Sequence, residues 1–231
     1  MGSALGWGAL AASSLVIGAL LGLARDWPDR WVGLVLAFGA GALVSSVSFE
    51  LAEEGIDVGG GASVGIGLAV GAFTYWALDQ ALDRRSGSAA GTALALGAFL
   101  DGIPEQLVLG IGLATGGEVS IALLVAIFVS NLPEAIGSAS QMRDAKRSPA
   151  TIRRLWLVVA AVCLLATVAG YALADSASGH LQAGIDGFAA GALLVMLVDS
   201  MIPEAARKAG STAGLVTTLG FAVAAGLSLA T

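Results

Sequence analysis

At 231 residues, 57% of them hydrophobic and only 12% charged, the chain lies far outside the balance of a soluble globular domain. Its net charge of −6 offers no basic surface for nucleic acid. The single cysteine, Cys163, cannot form a disulfide within the chain and reads as a small core residue.

The apolar runs are about 20 residues long, the length of helix that crosses a hydrocarbon core. They predict an all-α integral membrane protein of eight transmembrane helices, roughly 3–24, 31–54, 60–82, 89–114, 119–142, 152–174, 180–206 and 211–230, forming one domain over 1–231. The first run has no basic residue ahead of it and is too long for an h-region, so it is expected to be a span and not a cleaved signal peptide. The 33 glycines predict close approach of helix backbones.

Charge placement gives an independent check on the span count. All eleven basic residues fall in the connections after spans 1, 3, 5 and 7: Arg25 and Arg30; Arg84 and Arg85; Arg143, Lys146, Arg147, Arg153 and Arg154; Arg207 and Lys208. The connections after spans 2, 4 and 6 hold Glu53, Glu54, Asp57, Glu118, Asp175, Asp186 and one histidine, His180. By the positive-inside rule the basic connections are cytoplasmic and both termini face outward, as in a multi-pass plasma-membrane protein. Trp27, Trp31, Trp76 and Trp156 lie near span ends and read as interfacial anchors. No basic residue falls in mid-span, so buried acids are expected to lack an intramembrane cation.

Such acids are present. A Pro-Glu pair interrupts three spans, at Pro104-Glu105, Pro133-Glu134 and Pro203-Glu204. A carboxylate at membrane depth costs on the order of 2.5–3.5 kcal/mol on insertion scales, which makes it a functional-site candidate. Each proline lacks an N–H and frees the carbonyl four residues earlier, that of Leu100, Val129 or Asp199. A bent helix with a bare carbonyl and acids on one face is an oxygen-rich cation site.

Ala37-Phe38-Gly39-Ala40-Gly41-Ala42-Leu43-Val44 in span 2 matches Gly187-Phe188-Ala189-Ala190-Gly191-Ala192-Leu193-Leu194 in span 7. In register, Glu50 falls beside Asp199 and Ser200, and Glu54 beside Glu204. Spans five apart run in opposite directions, so the expected arrangement is 3+2+3. Inverted repeats of spans 1–3 and 6–8 would flank spans 4 and 5, a transporter architecture.

On span 4, Asp101 and Glu105 are one turn apart and share a face; on span 5, Ser130 or Asn131 does the same with Glu134. Convergence of these faces would assemble carboxylates, an amide, a hydroxyl and two carbonyls, donors suited to magnesium, manganese, calcium or ferrous iron. Glu50, Asp199 and Glu204 would extend this centre into an acidic transport pathway. Simpler readings stay open at the edges. Pro203 can serve only as a kink, and Glu204 can form a solvated i,i+3 pair with Arg207. Glu53, Glu54 and Asp57 fit a solvated loop as well as an entry funnel, and His180 fits a surface position.

Taken together, these motifs resemble the ZIP family of divalent metal transporters, over almost the whole chain from Phe38 to Glu204. The resemblance implies eight helices with both termini outside and a metal site between helices 4 and 5. Asp101 stands where the family has a histidine, Gly102 where it has an asparagine, and Glu105 at its glutamate. Ser130 replaces a His or Gln, Asn131 follows it, and Glu134 matches the second glutamate. Asp199 stands where bacterial members often carry a histidine. Helix 6 has no carboxylate, although some members place a bridging glutamate there. The expected function is therefore transport of a divalent metal cation (zinc, manganese, iron or similar) toward the cytoplasm, with the metal as substrate and no organic cofactor. Loss of the imidazoles points to a harder ion than zinc, or to a changed cargo. The alternatives are a proton-coupled carrier of another cation and a non-transporting metal sensor or scaffold. No enzymatic motif is evident. The expected partners are the lipid bilayer and the metal ion, with a homodimer left open.

Overall fold

The structure is a computed structural model, and it describes residues 2–85, 102–103, 105–114, 121–176 and 178–228. Among the described residues every regular element is helical. With no water in a hydrocarbon core, a spanning segment must satisfy its backbone hydrogen bonds internally, and these apolar sequences do so as helices. In chain order they are α1 (Gly2–Ala24), α2 (Asp29–Ser46), α3 (Glu54–Gly59) and α4 (Gly61–Arg85). Next come α5 (Glu105–Ala114), α6 (Ile121–Asp144), α7 (Pro149–Ser176) and α8 (Gly179–Met196). The last two are α9 (Ile202–Ala209) and α10 (Ala213–Ser228).

Among the described residues six stretches are long and apolar enough to cross a membrane. Five correspond to expected spans 1, 2, 3, 5 and 6. The sixth, Gly179–Ser228, is 50 residues long and covers the expected spans 7 and 8, with Gly210 at φ +63° between α9 and α10. Of the expected span 89–114, residues 89–101 and 104 lie outside the described residues.

Local sequence explains the helix ends. Ser148 precedes Pro149 and its hydroxyl accepts the Thr151 N–H at 3.1 Å, a cap followed by a proline at the first helical position. Lys146, at φ 60°, closes the end of α6. Pro133 lies inside α6, which remains helical on both sides of it.

α2 and α8 share one plan. Adding 150 to each number of α2 gives α8, and each helix passes directly into a π-helical segment, Val47–Glu53 after α2 and Leu197–Met201 after α8. The short helices α3 and α9 then end at Gly59 and Ala209, each followed by a glycine with positive φ, Gly60 at +84° and Gly210 at +63°. The sequence placed the break of span 7 at Pro203. Here the π segment makes the break, and Pro203 sits in the first turn of α9, where its missing N–H costs little. The π segment of span 2 has no proline at all, so proline is not its cause.

Packing crosses between these two units. α10 lies along α2, and α4 along α8. A Cβ on Gly41 would overlap the Thr217 carbonyl oxygen, and one on Gly191 would overlap that of Leu68. Both positions therefore need glycine for the backbones to meet. α1 packs on α6 and α7, and α2 also contacts α6 and α9. The buried core is dominated by alanine, leucine and small residues, while Ile66, Phe73 and Leu215 are exposed. Large apolar side chains facing outward suit a lipid environment.

One expectation is corrected. Trp156 is 1% exposed and packs with Leu15, Ala19 and Ile152, so it is a core residue and not an interfacial anchor. Glu204 makes the i,i+3 pair with Arg207 that its position allows, and Lys208 also reaches it one turn along α9.

Candidate metal centre

α5 and α6 meet through polar side chains in an otherwise apolar interior. Glu105 is 1% exposed, and its two oxygens engage two consecutive residues of α6. Ser130 Oγ lies 3.1 Å from Oε1, and Asn131 Nδ2 donates to Oε2 at 3.1 Å. Ser130 and Asn131 are each 1% exposed. Hydrogen bonds to a carboxylate contribute about 1.5–3 kcal/mol each, which offsets part of the cost of burial. The Asn131 amide oxygen is buried and has no hydrogen-bond partner among the described residues. An amide oxygen held beside a carboxylate is a ready cation ligand.

The Ser130 hydroxyl also lies 3.0 Å from the Ile127 carbonyl oxygen. Its single hydrogen can go to Ile127, with Oγ accepting from a protonated Glu105, or to an ionised Glu105. The contact suits either form of the acid.

Glu134 is half-buried one turn beyond Ser130 on the same face of α6, and the hydroxyl of the buried Ser138 one turn further has no partner among the described residues. Asp101, placed by the sequence at the centre of this site, lies outside the described residues. Among the described residues no group of three or more His, Cys, Asp or Glu is close enough to hold a metal. The donors that do come together at Glu105 are one carboxylate, one amide and one hydroxyl.

The residue after Glu105 on α5 is also polar and turns toward α7. Gln106 is fully buried and its Oε1 accepts from Thr167 Oγ1 of α7 at 2.5 Å, while its Nε2 is unpartnered among the described residues. A Cβ on Gly102 would stand 2.7 Å from the sulfur of Cys163, so glycine there lets α7 approach. Gln106 was legible only as a polar residue following Glu105 in an apolar run. Its partner on α7 could come only from the fold.

The remaining candidates lie on the two π-helical units. Glu50 is half-buried within Val47–Glu53, and Asp199 is exposed within Leu197–Met201. Glu204 pairs with Lys208 at 2.8 Å and with Arg207 at 3.5 Å. π segments concentrate at functional positions because they re-aim side chains and leave backbone groups out of the regular ladder. His180, at the start of α8, is exposed and its Nδ1 donates to the Gly59 carbonyl at 2.8 Å, a contact between helix ends.

The family model described as ZIP zinc transporter matches residues 78–228, the larger part of the chain and the part that carries all three Pro-Glu pairs. A search of curated proteins found no match.

Proposed function

The chain belongs to the ZIP zinc transporter family, a family of divalent metal transporters, and from that premise we propose where and how it handles its ion. The cargo is held between α5 and α6 by Glu105, Asn131, Ser130 and Glu134, with Asp101 as a further carboxylate. The observation that carries this reading is the buried Glu105 carboxylate spanned by Ser130 and Asn131, beside an amide oxygen with no partner among the described residues. A divalent ion brought there compensates the buried charge and takes up the free amide oxygen.

The donors are hard oxygens, so manganese or ferrous iron competes well with zinc at this site. Eight spans in a 3+2+3 arrangement, with inverted repeats, provide the moving parts. The equal lengths of α2 and α8, the π segment after each and the glycine contacts that pair α10 with α2 and α4 with α8 support that arrangement. Glu50, Asp199 and Glu204 line the route. The ion travels toward the side bearing Arg143, Lys146 and Arg207, the cytoplasm in a plasma-membrane protein with both termini outside. Alternating access is a movement of the α5–α6 centre, with the repeats it packs on, against the rest of the bundle.

A second reading, a proton-coupled carrier of another cation, is favoured by the Ser130 hydroxyl, which can serve Glu105 in its protonated or its ionised form. Flux of zinc and manganese into proteoliposomes carrying the purified chain tests both readings. Uptake of either metal supports the first, and proton movement driven by another cation, with no uptake of zinc or manganese, supports the second. Binding without flux would leave only a sensor.

A further inference from the structure

One face of α6 runs from the Glu105 contact to the basic side of the protein. Ser130, Glu134, Gly137 and Gln141 follow one another at helical spacing along it. At its lower end opens a cavity of about 340 Å³, whose lining includes Asp29, Gly137, Gln141, Asp144 and Lys208. That is room for several waters, and so for a hydrated ion.

The Lys208 ammonium sits in this mouth. Its side chain is 12% exposed, whereas that of its neighbour Arg207 is 71% exposed. Nζ lies 2.8 Å from Glu204 Oε1 and 4.0 Å from Asp29 Oδ1. From α6, a Cβ added to Gly137 would stand 3.5 Å from Nζ. Gly33 of α2 lets α9 close in behind it, since a Cβ there would come within 2.6 Å of both Lys208 Cβ and the Ala209 nitrogen. The charge is thus held among α2, α6 and α9, at the point where the α6 face reaches water.

We propose that Lys208 is the latch of the inner exit. Its ammonium fills the position that a departing cation would take between Glu204 and Asp29, and repels an ion on the α6 face while it stays there. When the ion takes over these carboxylates, the flexible lysine stem swings the ammonium into bulk water and the mouth opens. A lysine suits this task better than an arginine, because a point charge on a flexible stem is released more readily than a planar fork. The latch rests on the transport reading above, although its accessibility test does not require transport.

The test uses Gly137→Cys in a Cys163→Ser background, in inside-out vesicles, with a charged, membrane-impermeant thiosulfonate. A cysteine is tolerated at Gly137, because the nearest atom to a Cβ there, Lys208 Nζ, stands at an ordinary contact distance of 3.5 Å. Adding Lys208→Gln is expected to speed labelling several-fold and to raise the rate of metal uptake. Lys208→Arg is expected to leave labelling slow and to lower uptake. Metal affinity at the α5–α6 site, read by calorimetry with manganese, is expected to stay within error in both. Equal labelling in the parent and the Lys208→Gln form overturns the latch and leaves Lys208 as a structural ion pair. If Lys208→Gln fails to fold, Lys208→Met, which keeps the stem without the charge, carries the same labelling test. Failure of the transport reading is distinguishable, because it appears as Glu105→Gln protein that still takes up metal at the parental rate.

Discussion

Asn131 donates its amide nitrogen to the Glu105 carboxylate at 3.1 Å across the α5–α6 interface, and its own amide oxygen has no partner among the described residues. Both side chains are 1% exposed. A buried amide that satisfies its donor and leaves its acceptor bare carries the desolvation cost of that acceptor, a cost that the proposed metal ion would offset.

The double change Glu105→Gln and Glu134→Gln is expected to abolish metal binding and uptake while the protein stays folded. The amides keep size and hydrogen bonding but remove the charge that compensates a divalent ion. Binding by calorimetry and uptake in proteoliposomes check this, with size exclusion in detergent reporting the fold. Parental uptake in a monodisperse double mutant would sink the site.

Ion choice is expected to follow the donor set. With oxygen ligands at the centre, the parent discriminates weakly between zinc and manganese in competitive uptake. Asp101→His introduces a softer nitrogen donor four residues before Glu105 in the sequence, and the zinc-to-manganese ratio is expected to rise. A parent that already takes zinc in strong preference would mean that ligands from elsewhere complete the shell.

Glu50→Ala and Asp199→Ala are each expected to lower uptake several-fold and to leave binding at the α5–α6 site intact. Cysteines at the two positions, in a Cys163→Ser background, are expected to react with small water-soluble thiol reagents, more slowly when metal is present. No labelling in either condition would place both residues in dry packing, and the route would then run elsewhere.

Gly191→Val is expected to destabilise the bundle by about 1–3 kcal/mol, the usual cost of overpacking, because its Cβ overlaps the Leu68 carbonyl. Gly65→Ala, with nothing within 4 Å of its Cβ, is expected to be neutral or slightly stabilising. Thermal unfolding in detergent compares the two. Equal melting temperatures would mean that α4 and α8 are less tightly apposed than their glycines imply.

The sequence by itself determined the solvent, the helical class and the residues from which a site can be built. Membrane helices announce themselves through length and apolarity, and Glu105 and Glu134 stand out because a carboxylate in such a run is costly. Register was legible too, since the match of Phe38 with Phe188 foretold two helices on one plan. Other features depended on which helix lies against which, and no local pattern carries that information. The fold put Asn131 and Ser130 on the Glu105 carboxylate, and it paired Gln106 with Thr167. It sank Trp156 into the core and brought Lys208 of α9 to 4.0 Å from Asp29 of α2. The π segments escaped sequence reading for a related reason. An extra residue in a helical turn is fixed by packing against neighbouring helices, and in span 2 no proline marks the place.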